Sequence, residues 1–168
     1  MDERTFIVRL AVTVLLGGLL GLERELRGHA AGLRTHLLVS LGSCLFTLVS
    51  IAAGQSFGDP EPSIVRADIT RIASQVVVGI GFLGGGAILR HGTSVHGLTT
   101  AANLWLTASV GLAVGFGFFV GAATTVAFAL LVLVGLRPVE HFIGRFARHH
   151  RIAKDSQRVP EEPPPPPG

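Results

Sequence analysis

The chain has 168 residues, 48% of them hydrophobic and only 15% charged, with 22 glycines and a formal net charge of +3. Charge so far below the ~25% of an ordinary soluble domain, with glycine at nearly twice the usual ~7%, excludes a soluble globular enzyme, a disordered chain and a disulfide scaffold. The single cysteine, Cys44, cannot close an internal disulfide, and the basic residues lie outside the apolar runs, which argues for basic loops at an anionic leaflet and against a nucleic-acid-binding face.

A hydrocarbon core of ~30 Å needs about 20 apolar residues in a helix. The first such run is 6–22, with Arg9 one turn in and expected to snorkel to the near interface. Glu23-Arg24-Glu25 stops it abruptly, and no small-residue cleavage site follows, so it reads as a span and not a signal peptide. The second span is 36–53. The third covers 64–89, where residues 64–71 extend the apolar part as helix after the turn signal Asp59-Pro60-Glu61-Pro62. Residues 98–136 form one uncharged stretch; as a single helix it would be about 58 Å long, so it must fold back, and Gly115-Phe116-Gly117 is the natural hinge. The fourth and fifth spans then lie near 98–114 and 118–136. The predicted fold is all-α: a polytopic bundle of about five transmembrane helices over 1–137, followed by a basic amphipathic juxtamembrane segment at 138–155 and a proline-rich, unfolded tail at 156–168.

An odd number of spans puts the two termini on opposite sides. One side carries four Lys or Arg residues (Arg4, Arg9, Arg66, Arg71) and the other ten, six of them in the tail, so the C-terminus is expected in the cytoplasm.

Glycines recur at four-residue spacing: Gly17/Gly21, Gly81/Gly85, Gly111/Gly115 and Gly117/Gly121. Lipid supplies no hydrophobic drive between helices, so small flat faces that let backbones approach are the expected packing surfaces. Gly79-Ile80-Gly81-Phe82-Leu83-Gly84 spells a dinucleotide fingerprint, but no acidic residue stands about 20 positions on and the surroundings are a membrane span. Polar residues within or beside the spans are the functional candidates. Glu23, Arg24, Glu25, Arg34 and Thr35 bracket the first loop, which shares a face with Arg90, Thr99 and Thr100; the carboxylates and arginines there would pair with one another or face a partner. Asp68, Arg71 and Gln75 form one helical stripe, met from the fourth span by Asn103 and by Trp105, which lies about two turns inside its span, deeper than an interfacial belt residue. The seven histidines show no ligand spacing, and no nucleophile has a supporting constellation, so no metal, cofactor or enzymatic activity is expected.

Several ordered blocks resemble the MgtC/SapB family of bacterial inner-membrane proteins: Gly21-Leu22-Glu23-Arg24-Glu25, Ala31-Gly32-Leu33-Arg34-Thr35-His36, Asp68 and Arg71 running into Gln75-Val76-Val77 and Gly79-Ile80-Gly81-Phe82-Leu83-Gly84, then Arg90, Gly97-Leu98-Thr99-Thr100-Ala101-Ala102 and Trp105. The resemblance covers roughly residues 10–135. It implies a plasma-membrane protein of about five helices, linked to growth in low magnesium and to survival inside host cells. It implies a regulator of another membrane complex, the ATP synthase being the target attributed to the best-known member. It also singles out Glu23, Arg24, Arg34, Asp68, Arg71, Gln75, Arg90, Thr99 and Trp105. Longer members add a soluble C-terminal domain, which this chain is expected to lack as a short form. Leu106 stands where some members have a cysteine after the tryptophan. The residues therefore support two readings. One is a regulator bound to another membrane complex, or to a second copy, through glycine faces and the Glu23–Arg34 loop. The other is a magnesium or proton carrier with a path near Asp68, Gln75 and Asn103. The partners expected are the lipid bilayer and membrane protein, not nucleic acid.

Overall fold

The computed structural model describes residues 2–56, 70–136 and 138. It consists of α1 (Glu3–Leu26), α2 (Leu33–Ser56), α3 (Thr70–Ala87), a two-stranded hairpin of β1 (Leu89–His91) and β2 (Ser94–His96), α4 (Leu98–Gly115) and α5 (Phe119–Gly135). Asp68, the 138–155 segment apart from Pro138, and the proline-rich tail lie outside the described residues. The packing described below is that of the compact unit ending at Leu130; from Leu131 the chain falls in a second unit, whose described part holds the end of α5.

α1, α2 and α4 are long and apolar enough to cross a bilayer, while α3 and α5 contribute shorter apolar helices, Ala73–Ala87 and Phe119–Gly135. At 1.5 Å per residue the five run from about 26 to 36 Å, close to the thickness of a hydrocarbon core. Large side chains are turned outward around the bundle: Phe82 is 85% exposed, Leu38 71% and Phe128 69%. In water such a band would be an aggregation hazard; in lipid it is the solvated surface.

The 98–136 stretch folds back at residues 116–118. Phe116 and Gly117 form the turn, and Gly117 takes φ +85°, a conformation that a side chain would strain. The amide of Phe118 closes the turn on the Ala113 carbonyl. Arg9 does not snorkel to the rim. It is half-buried, and its Nη1 donates to the Gly115 carbonyl at 2.6 Å, capping the C-terminal end of α4 with a cation.

α2 is the central helix. Gly17 and Gly21 of α1 lie against it so closely that an added Cβ would stand 2.8 Å from Ser40 Cβ at the first and 2.9 Å from His36 Cβ and Leu33 Cα at the second. On its other flank, a Cβ on Gly111 would stand 2.9 Å from Ser43 Cβ, and one on Gly115 would overlap Thr47. These two pairs are packing faces of the kind expected. Gly81 and Gly85 are not. Nothing among the described residues lies within 4 Å of a Cβ built at either position; α3 meets α4 instead through Gly84, against Ala101. Around a helix of 3.6 residues per turn Gly81 lies about 60° and Gly85 about 100° to the same side of Gly84, so the contact line through Gly84 leaves that pair beside it. The six-residue glycine motif lies wholly within α3, with no strand before it in the described chain.

Two apolar clusters complete the core. Leu16, Leu20, Cys44, Leu48, Val110, Val114, Ala122 and Val126 join α1, α2, α4 and α5, and Ala31, Ile80, Leu104 and Ala108 bring α3 onto α4. The third span, expected to run to residue 89, ends as α3 at Ala87, and residues 89–96 form a hairpin with Arg90 opposite Val95 and a two-residue turn in which Gly92 has φ +60°. Thr93 is not in the positive-φ region, so the turn is of the II′ type that suits a right-twisted ribbon.

Inserting side chains at the α2 contact forces the helices apart, at a cost of about 1–3 kcal/mol. Gly17→Leu and Gly111→Leu should therefore lower the thermal midpoint in detergent and the membrane yield, whereas Gly81→Leu and Gly85→Leu should match the parent chain in both. Equal losses in all four variants would contradict the arrangement.

Candidate functional site: a polar seam opening at the hairpin end

α2 carries its polar residues at His36, Ser40, Ser43, Thr47 and Ser50, a four-three spacing that keeps them on one face. All five are buried. α4 answers with buried Thr100, Asn103 and Thr107, and α1 with Thr13 and Arg24. Along the middle of the seam the hydroxyls are satisfied within their own helices: Ser43 donates to the Val39 carbonyl at 2.8 Å, Thr47 to Ser43 at 2.9 Å and Thr107 to Asn103 at 2.8 Å. Such hydroxyls need no partner across the interface and leave the helices free to pack by shape.

Cross-helix polar bonds appear at the end where α1, α2 and α4 meet the first loop and the hairpin. The His36 ring links two elements. Its Nδ1 lies 2.8 Å from the Gly32 carbonyl and its Nε2 3.1 Å from Asn103 Nδ2. A carbonyl can only accept, so the proton sits on Nδ1, and Nε2 accepts from the Asn103 amide. Arg24, 3% exposed, reaches across from α1 to donate from Nη2 to Thr100 Oγ1 at 3.2 Å. Glu23, buried beside it, pairs with Arg27 one turn on, Oε1 to Nε at 2.8 Å. The contact is ionic by distance without hydrogen-bond alignment, and neither carboxylate oxygen receives a hydrogen bond. Glu25 is exposed and bends back so that Oε2 accepts the Leu33 amide at 2.9 Å, serving as the N-terminal cap of α2, where Gly32 offers no side chain.

The structure thus draws Glu23, Arg24, Thr100 and Asn103 into one buried cluster around His36 and leaves other candidates outside it. The expected pairing of Glu23 and Glu25 with Arg34 and Arg90 gives way to the Arg27 pair and the Leu33 cap, both nearer in sequence and reachable without a loop rearrangement. Arg34 is exposed and Thr35 half-buried at the start of α2. Arg90 is exposed on the hairpin, where its Nε donates to the Gly92 carbonyl at 2.9 Å, and Thr99 is exposed at the start of α4. Trp105 is 51% exposed and points away from the bundle, because two residues after Asn103 is about 200° around the helix. Arg71 and Gln75 are exposed on α3, with Gln75 in a groove between α2 and α3, so Asn103 and Gln75 do not share a cavity. The residue that sequence reasoning underweighted is His36; the signal was its place as first member of the Ser40, Ser43, Thr47, Ser50 series.

An all-α bundle with a lipid-facing apolar band and its charges gathered at the helix ends defines a polytopic membrane protein. Its family follows from comparison: the MgtC family profile matches residues 10–142, and the chain belongs to that family. It is 45% identical over 130 residues to the protein MgtC of Brucella abortus (strain 2308), covering 77% of this chain and 50% of that protein. It is 45% identical over 115 residues to YhiD of Escherichia coli (strain K12), whose name carries a provisional assignment as a magnesium transporter, covering 68% of this chain and 52% of that protein. Against an uncharacterized Synechocystis protein, slr0014, it is 42% identical over 149 residues, or 89% of this chain and 59% of the other. The chain thus spans a little over half the length of these relatives or less. No solved structure matches it.

Removing one side of the His36–Asn103 bond leaves a buried polar group unpaired, at a cost of about 1–2 kcal/mol inside a bilayer protein. His36→Leu and Asn103→Leu should each lower the detergent unfolding midpoint, and the double variant should lose less than the sum. Strict additivity would show that the two side chains do not interact.

Proposed function

We propose that this protein is a non-catalytic regulator, seated in the bacterial inner membrane with its C-terminus in the cytoplasm, that docks laterally on a helical membrane complex. The observation that supports this most is the outward glycine face of α3. Gly17, Gly21, Gly111 and Gly115 are consumed inside the bundle, while Gly81 and Gly85 carry no neighbour among the described residues. A four-residue glycine pair facing lipid gains nothing from acyl chains, and it offers a partner helix the same close backbone approach that the interior pairs give α2. Arg34 and Arg90, exposed at the end that would face the cytoplasm, add a cationic rim for an acidic loop of the same partner. Gly81→Leu and Gly85→Leu should leave the fold intact yet abolish recovery of the partner complex by crosslinking and pulldown from native membranes. Undiminished recovery with both variants would end this reading.

A second reading, cation carriage, draws on the Glu23 carboxylate, whose buried oxygens receive no hydrogen bond, and on the name of the Escherichia coli relative. Magnesium or proton flux into proteoliposomes that falls severalfold in Glu23→Gln or Asp68→Asn would support it. Flux no greater than in protein-free vesicles would dismiss it.

A further inference from the structure

α2 and α3 do not close on each other along their outer sides. Between them lies a groove of about 450 Å³ lined by Leu38, Gly42, Phe46, Gln75, Gly79 and Leu83, with Val39, Ser43, Val76 and Ile80 at its floor. Both wall glycines are bare: nothing among the described residues stands within 4 Å of a Cβ on Gly42 or on Gly79. Two of the lining residues have polar side chains. Ser43 spends its hydroxyl on the Val39 carbonyl. Gln75 is exposed to the groove, and its amide makes no hydrogen bond among the described residues.

The depth of that amide matters. Gln75 shares the groove with Phe46, which lies about 20 Å along α2 from Leu33 and about 15 Å from Ser56 at 1.5 Å per residue. On its own helix Gln75 stands about 8 Å from Thr70, so its side chain opens inside the apolar span. Two donors and an acceptor left bare in lipid are costly, and lipid tails cannot relieve them.

We propose that the α2–α3 groove is the face on which a second copy of this chain docks, with Gln75 at the two-fold axis. In an interface with two-fold symmetry about the membrane normal, a residue on the axis meets its own counterpart. Very few side chains are good partners for themselves there: two carboxylates or two guanidiniums repel, and two aliphatic groups satisfy nothing polar. Two Gln75 amides form a closed pair, each Nε2–H donating to the other's Oε1. Gly42 and Gly79 leave the room that the facing helices need to bring the amides within reach, and the protruding Leu38 and Phe46 of each copy have the partner's groove to enter. This surface is distinct from the Gly81/Gly85 face, because Gly79 lies about 40° and Gly81 about 240° around α3 from Gln75. Self-association and docking on another complex are therefore separable.

The test uses the full chain in bilayers of native lipid. In a Cys44→Ala background, Gln75→Cys should yield a covalent dimer on mild oxidation, while Leu15→Cys, on the lipid-facing side of α1, should not. Single-molecule photobleaching of the parent chain should show two-step traces that become one-step on dilution into excess lipid. Gln75→Leu should shift that dilution midpoint roughly tenfold, the effect of two interhelical hydrogen bonds of ordinary bilayer strength, whereas Gly81→Leu should not move it. One-step traces at every dilution, equal crosslinking at positions 75 and 15, or crosslinking of position 75 to a different protein would each overturn the proposal. Loss of partner recovery in Gly81→Leu would bear on the regulator reading alone.

Discussion

The close approach of α1 and α4 to the two flanks of α2 is the constraint on which the rest of the structure depends. Ser40 lies under Gly17 on one flank and under Gly111 on the other, with no room for a Cβ at either contact. In a bilayer this cannot be driven by removing oil from water, since the lipid is as apolar as leucine; it is held by dispersion contacts that grow as backbones near one another. Where the three helices are joined this tightly, the residues at the contact line are small, and the hydroxyls among them bond within their own helix. Ser43, Thr47 and Thr107 do so by donating to carbonyls four residues back.

Polarity is graded along the bundle axis. Back-bonded hydroxyls fill the middle, where an unpaired donor would be most costly. Groups with larger demands stand toward the ends: Arg9 caps α4 at one end, and Glu23, Arg24, His36 and Asn103 lock the first loop to α4 at the other. The bond from His36 to Asn103 and that from Arg24 to Thr100 tie α2 and α1 to α4, far apart in sequence, at the place where the chain is about to leave the membrane. Their first effect is to set the register of α1 and α2 against α4, which also sets where the hairpin and its arginine stand.

Three of the surfaces so positioned differ in kind. Among the described residues, the hairpin end is cationic and exposed, the Gly81/Gly85 side of α3 is bare, and the α2–α3 groove is apolar with one amide that makes no hydrogen bond. The second and third arise because α3 packs onto α4 through Ile80 and Gly84 and leaves its Gly81/Gly85 side and its outer edge along α2 uncovered by the described residues. The proposed regulatory role and the proposed self-association draw on different sides of that helix.

Much of this was legible in the residues alone. Apolar run length determined the helices, the uncharged stretch from 98 to 136 demanded a reversal, and Gly117 marked it, because these are local consequences of bilayer thickness and backbone sterics. Glycine spacing located two real contact faces for the same reason. What spacing could not decide was which glycine pairs would find a neighbour: Gly81/Gly85 has the same local pattern as Gly111/Gly115, and only the rotation of α3 against α4 turned it outward. The same holds for Trp105 and Asn103, two residues apart and on opposite sides of α4, and for Gln75, whose separation from Asn103 depends on how α3 sits beside α2. Sequence by itself determined the solvent, the elements and the inventory of polar groups. The tertiary structure decided the pairings among them, because a contact between helices depends on azimuth, and azimuth is set by packing, not by any local preference of the chain.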